Sequence, residues 1–112
     1  MLLAALASTF LLASSGAHGK VLIDPARPVC VIDQPCSAPD PYEVLVFWRG
    51  TTRVASVTTT SDGSFRVTLA PGLYRVTLPR RRAMRASLSP AQIRIPPKSD
   101  VRVTFRVDIG IR

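Results

Sequence analysis

Asp62-Gly63-Ser64-Phe65-Arg66-Val67-Thr68-Leu69-Ala70-Pro71-Gly72-Leu73-Tyr74-Arg75-Val76 is the stretch that decides how this chain folds. Phe65, Val67 and Leu69 alternate with Arg66 and Thr68, the period of two that sends successive side chains to opposite faces of a strand. Tyr74, Val76 and Leu78 repeat the pattern against Arg75 and Thr77. Between Ser61 and Ser64, Gly63 can take the positive φ that a tight hairpin needs and that a side chain would resist. Pro71 fixes φ near about −65° and Gly72 accepts positive φ, so this pair predicts a type II turn.

The same reading extends outward. Lys20 to Ile23 is expected as a short first strand, followed by a Pro-rich connection over 24–42. Glu43 to Trp48 reads as a second strand whose near-continuous apolar run (Val44, Leu45, Val46, Phe47, Trp48) implies cover on both faces. Arg53 to Thr59 is a third, rich in Val and Thr. A basic connection over 79–90 leads to a short strand at Ile93–Ile95, which Pro96-Pro97 stops. Val101, Val103, Phe105 and Val107 alternate with Arg102, Thr104 and Arg106 in the last strand. Seven short strands and no helical pattern predict an all-β, two-layer β-sandwich, because each sheet must bury its apolar face against another.

With 112 residues there is room for one domain. Met1 to Leu12 is an uncharged apolar run of signal-peptide length, too short to span a bilayer. Ser15-Gly16-Ala17 offers small residues for cleavage, which would release His18 and divide the chain into a leader, 1–17, and a domain, 18–112. The alternative is that the run is a buried N-terminal element. No Lys or Arg precedes it, which would place the true start codon upstream of Met1. Secretion to the periplasm, cell envelope or extracellular space is the expected localisation.

Cys30 and Cys36 are the only cysteines, and an even count in an exported chain favours a disulfide. So short a ring is credited with about 2 kcal/mol. Zinc would need four ligands, whereas two cysteines and His18 supply three. No metal and no cofactor is expected.

The Asp-Gly-Ser-Phe and Pro-Gly-Leu-Tyr core resembles the central signature of carboxypeptidase regulatory-like domains, and the chain is identified as a small exported bacterial member of that family. The opening Gly19-Lys20-Val21, the closing Asp108-Ile109-Gly110-Ile111-Arg112 and the Cys30/Cys36 loop are similar to its pattern. The resemblance implies an all-β, seven-stranded Greek-key β-sandwich of transthyretin/Ig-like, prealbumin type, related to Cna B-type repeats. It implies no activity, since the matching residues are turn and core residues. The self-made isopeptide bond of some Cna B-type domains would require Lys20, Asp108 and Glu43 to meet. The histidines and C-terminal motif of transthyretin-related hydrolases have no counterpart here.

The catalytic classes fare poorly. One histidine, at a mobile new terminus, is a weak base for nucleophilic chemistry. The aspartates fall mostly in turns, where their own hydrogen bonding explains them. The net charge of +8, carried mainly by arginine, points to an anionic partner or to a solvated surface. Arg80, Arg81, Arg82 and Arg85 are the candidate anion contacts. The expected partners are an anionic envelope polymer or another exported protein; nucleic acid is disfavoured because no aromatics interleave with the arginines. The expected function is therefore a non-enzymatic structural or interaction module. The alternative is a carbohydrate or anionic-glycan binding module, for which Trp48 or Tyr42 would stand exposed in a concave patch.

Overall fold

The computed structural model describes residues 15–24, 37–81 and 86–109. They form an all-β protein of two sheets. The strands are β1 (Gly16–Asp24), β2 (Ala38–Pro39), β3 (Val44–Arg49), β4 (Thr52–Thr58), β5 (Ser64–Thr68), β6 (Gly72–Thr77), β7 (Ser87–Ser89), β8 (Gln92–Ile95) and β9 (Asp100–Asp108), with one 3₁₀ turn at Pro79–Arg81. Among the described residues no helix is long and apolar enough to cross a membrane.

In the five-stranded sheet, β1 runs parallel to β9 over its full length, from Gly16 opposite Asp100 to Asp24 opposite Asp108. Its other edge is shared, with β5 along Gly16–Lys20 and β2 at Leu22–Ile23. β7 closes the far side of β9 at Arg106–Asp108. The four-stranded sheet is antiparallel throughout, in the order β4-β3-β6-β8.

Period-two alternation places the core between these layers. Val21, Phe65, Phe105 and Val107 from the first sheet meet Leu45, Phe47, Tyr74, Val76, Ile93 and Ile95 from the second. Phe65 and Phe105 pack ring to ring at 5.5 Å between centroids. Tyr74 buries its ring, and its hydroxyl donates to Ala70 O at 2.6 Å, which satisfies the one polar atom that burial would otherwise strand. The expected double cover of β3 holds at Leu45, Val46 and Phe47, three consecutive buried residues.

The turns are fixed by backbone bonds. Gly63 sits at φ 80° and is buried under neighbouring backbone: a Cβ there would fall 2.9 Å from Val21 O and 3.0 Å from Asp40 N. Thr59 Oγ1 donates to Asp40 O at 2.7 Å and accepts from Glu43 N at 2.8 Å, which ties the end of β4 to the entry of β3.

Three expectations need correction. Among the described residues the strands number nine, because β2 and β7 lie within stretches read as plain connections. β2 tolerates Pro39 because it is a two-residue pairing at an edge of β1. The Pro71-Gly72 turn is not type II: Gly72 has φ 151°, far from the roughly +80° that turn needs, and it opens β6 directly. The first strand begins at Gly16, so the boundary expected between Ala17 and His18 falls inside it. Ser15 Oγ donates to Leu69 O at 2.5 Å, Leu69 N donates to Ser15 O at 3.0 Å, Gly16 N donates to Ser99 O at 3.0 Å, and Ala17 is fully buried. The small side chains are required sterically, since a Cβ on Gly16 would collide with Val67 O and one on Gly19 with Val103 O. Cys30 and Cys36 lie outside the described residues.

Chains truncated before Ser15 and before His18 should therefore differ. The shorter one is expected to lose about 2–4 kcal/mol of unfolding free energy, from several strand hydrogen bonds and the Ala17 methyl. Urea midpoints read this directly, and equal midpoints would show that Ser15–Ala17 are dispensable.

Candidate functional site

Three groups of polar side chains stand out on this scaffold. The first is the loop region expected to bind anions. Arg81, at the end of the 3₁₀ turn, points inward instead of out: its Nε donates to Glu43 Oε1 at 2.5 Å and its Nη2 to Asp40 Oδ1 at 3.4 Å. Both carboxylates are buried, at 3% and 4% side-chain exposure, so this guanidinium is committed to neutralising them. Arg80 is exposed, while Arg82 and Arg85 lie outside the described residues. Asp40 Oδ2 is buried without a hydrogen-bond partner. Burial, then the neighbouring Glu43, push the Asp40 carboxyl up to about 7, and Arg81 offsets only part of this. Arg81 thus belongs to a closed acid–acid–arginine knot, and exposed Tyr42, at φ 58°, forms the tight turn between the two acids.

The second group surrounds His18. Sequence reasoning put this residue at a mobile terminus, but strand pairing on both sides fixes it within β1. Its Nδ1 is covered and lies 3.2 Å from Asp100 Oδ2, which also accepts from Arg66 Nη1 at 2.8 Å. His18 and then Arg66 hold the Asp100 carboxyl below the usual carboxylate range. A groove of about 560 Å³ runs alongside, lined by His18, Lys20, Thr58, Ser64, Arg66 and Arg102. An acid beside a histidine is two-thirds of a nucleophilic triad. The missing part is a hydroxyl bonded to the imidazole, and among the described residues none is. Thr60 Oγ1 donates to Asp62 Oδ1 and accepts from Ser64 N at 3.2 Å, so that hydroxyl serves its own turn.

The third group lies on the outer face of the four-stranded sheet. Trp48 is half-buried, and strand register sets it opposite Arg75 of β6 on one side and Arg53 of β4 on the other. Its indole N–H donates to Thr77 Oγ1 at 2.8 Å. The Arg75 guanidinium carbon stands 5.2 Å from the ring centroid, a cation–π contact. These residues, with Val46, Thr77 and Pro79, line a depression of about 450 Å³. Val46 is 2% exposed yet lies outside the central core cluster, so it floors the depression from above the sheet. Among the described residues, no carboxylate pairs with Arg53 or Arg75. Sequence reasoning singled out Trp48, but not its arginine neighbours. The cross-strand register that joins it to Arg75 depends on β3 and β6 being neighbours, which alternation alone does not reveal.

Lys20 and Asp108 do not meet. Lys20 is opposite Thr104 and Asp108 opposite Asp24, a separation of four register steps or about 13 Å. Glu43 is buried against Arg81, and Lys20 is exposed on the outer face. Among the described residues no group of three His, Cys, Asp or Glu side chains could hold a metal ion. Set against protein-family models, curated proteins and solved structures, the chain matches none.

Two stability effects follow from the Asp40–Glu43–Arg81 knot. Arg81→Met leaves two buried acids uncompensated and is expected to cost about 3–5 kcal/mol, measured by chemical denaturation. The folded Asp40 pKa, about 7, lies above the unfolded 3.8, so the folded state binds the extra proton between those values. The Asp40 contribution is full below pH 3.8, falls as pH rises toward about 7 and is flat beyond. Asp40→Asn should remove that decline from a urea-midpoint profile taken between those limits; an unchanged profile would show that Asp40 is ionised in the folded chain throughout.

Proposed function

We propose that this chain is a non-enzymatic interaction module acting outside the cytoplasm, built on a transthyretin-like Greek-key sandwich of the carboxypeptidase regulatory-like kind. The strand arrangement supports the fold assignment: first and last strands parallel at the centre of one sheet, four antiparallel strands in the other. So does the Tyr74 hydroxyl reaching back to Ala70 O, as in the tyrosine corners of Greek-key sandwiches. Residues 1–12 act as the export signal, processing leaves Ser15–Ala17 with the domain, and Cys30 and Cys36 pair in the oxidising compartment. The acids that could serve catalysis are engaged, Asp40 and Glu43 by Arg81 and Asp100 by His18 and Arg66.

One observation carries the interaction reading. Arg53, Arg75, Arg94, Arg102 and Arg106 all project outward with no carboxylate partner among the described residues. A surface that pairs its acids and leaves this many guanidiniums open is suited to a polyanion. The second reading, binding of an anionic glycan, is favoured specifically by the Trp48 depression, where an aromatic wall joins the charge.

Retention of the purified chain on a carboxylated polysaccharide matrix tests the proposal. The chain should be held at about 50 mM salt and released by about 500 mM, as surface charges become screened. Flow-through at low salt, or recovery of the protein from the cytosolic fraction of its host, would overturn it.

A further inference from the structure

We infer that the depression around Trp48 is a binding site for a carboxylated saccharide, a sugar ring of the uronate class. This deepens the anionic-glycan reading and rests on it. Such a ligand presents two chemistries on one small body: an apolar ring face and a planar carboxylate. The depression offers a partner for each. The indole of Trp48 and the pyrrolidine of Pro79 form apolar walls over the Val46 floor. Arg75 and Arg53 flank the indole from the two neighbouring strands, and neither is engaged by a carboxylate among the described residues. A guanidinium fork matches a carboxylate through two parallel N–H donors.

Pre-organisation strengthens the assignment. The Trp48 ring is pinned by its bond to Thr77 at 2.8 Å, and Arg75 is held 5.2 Å from the ring centroid. Less side-chain freedom is then lost when a ligand arrives. The volume, about 450 Å³, lies within the usual range for small-ligand sites, roughly 300–1,000 Å³. The larger groove beside His18 has an open guanidinium in Arg102 but lacks an aromatic wall, since Phe65, the aromatic there, is 5% exposed.

Trp48 is the chain's only tryptophan, so its emission reports on the site without any substitution. Oligogalacturonate, inorganic polyphosphate and neutral dextran are titrated against the full chain, following emission and affinity together. Oligogalacturonate should shift the emission and bind at least about 10-fold more tightly than polyphosphate, which has charge without a ring face; dextran should not bind. Arg75→Gln and Trp48→Ala should each weaken oligogalacturonate about 10-fold or more, while Arg66→Gln and Arg102→Gln on the other sheet change it less than about 2-fold. Trp48→Phe, with circular dichroism as the folding control, keeps the sheet face filled if the alanine variant unfolds, and should show an intermediate loss. Equal binding of polyphosphate, or binding that leaves the emission unchanged and is lost in the Arg66 and Arg102 variants, would overturn this site while leaving a polyanion-binding protein. No binding of any polyanion at low salt would overturn both.

Discussion

The parallel pairing of β1 with β9 is the constraint on which the molecule depends. These are the first and last strands among the described residues, and they lie side by side at the middle of the five-stranded sheet. Their inward residues, Ala17, Val21, Phe105 and Val107, are all fully buried and supply one wall of the core. β5, β2 and β7 hang on this pair, and the second sheet packs against it. The close approach of three backbones explains why β1 is so poor in bulk: Gly16 and Gly19 face carbonyl oxygens of β5 and β9 where a methyl group would not fit.

With inward positions filled by apolar groups, charge is left to the outward ones, and the two sheets distribute it differently. On the five-stranded sheet, Asp100 answers Arg66 and His18, so that face is partly self-neutralised. On the four-stranded sheet, the outward positions of β3, β4 and β6 bring Arg53, Trp48 and Arg75 into one row without an acid. The buried acids Asp40 and Glu43 use Arg81 as their counter-ion. Among the described residues, the uncompensated positive charge thus lies mainly on strands.

Much of the architecture was legible because alternation and turn chemistry agree along 62–76. Phe65, Tyr74 and Phe105 are buried as their phase requires, and Gly63 has the positive φ expected of it. The start of β1 was not legible, because Ser15-Gly16-Ala17 satisfies two demands at once: small residues suit a cleavage site, and small residues suit a strand squeezed between two others. β2 and β7 are too short to show a period. The site was harder. Arg81 resembles its exposed neighbour Arg80 in sequence, and only the burial of Asp40 and Glu43 beside it sets its role. Trp48 was visible as an aromatic, but its arginine neighbours come from register between strands, which a linear pattern does not contain.

The position of β9 also governs the order in which this protein can be assembled. During synthesis β1 must wait for β9, since the centre of the five-stranded sheet is their mutual contact. Early hairpins such as β3–β4 can form locally, but the layer that covers them stays incomplete until the last residues are free. Closing the β1–β9 pair spans nearly all of the described sequence, so its loop-closure entropy is the largest of any strand pair in the sheet.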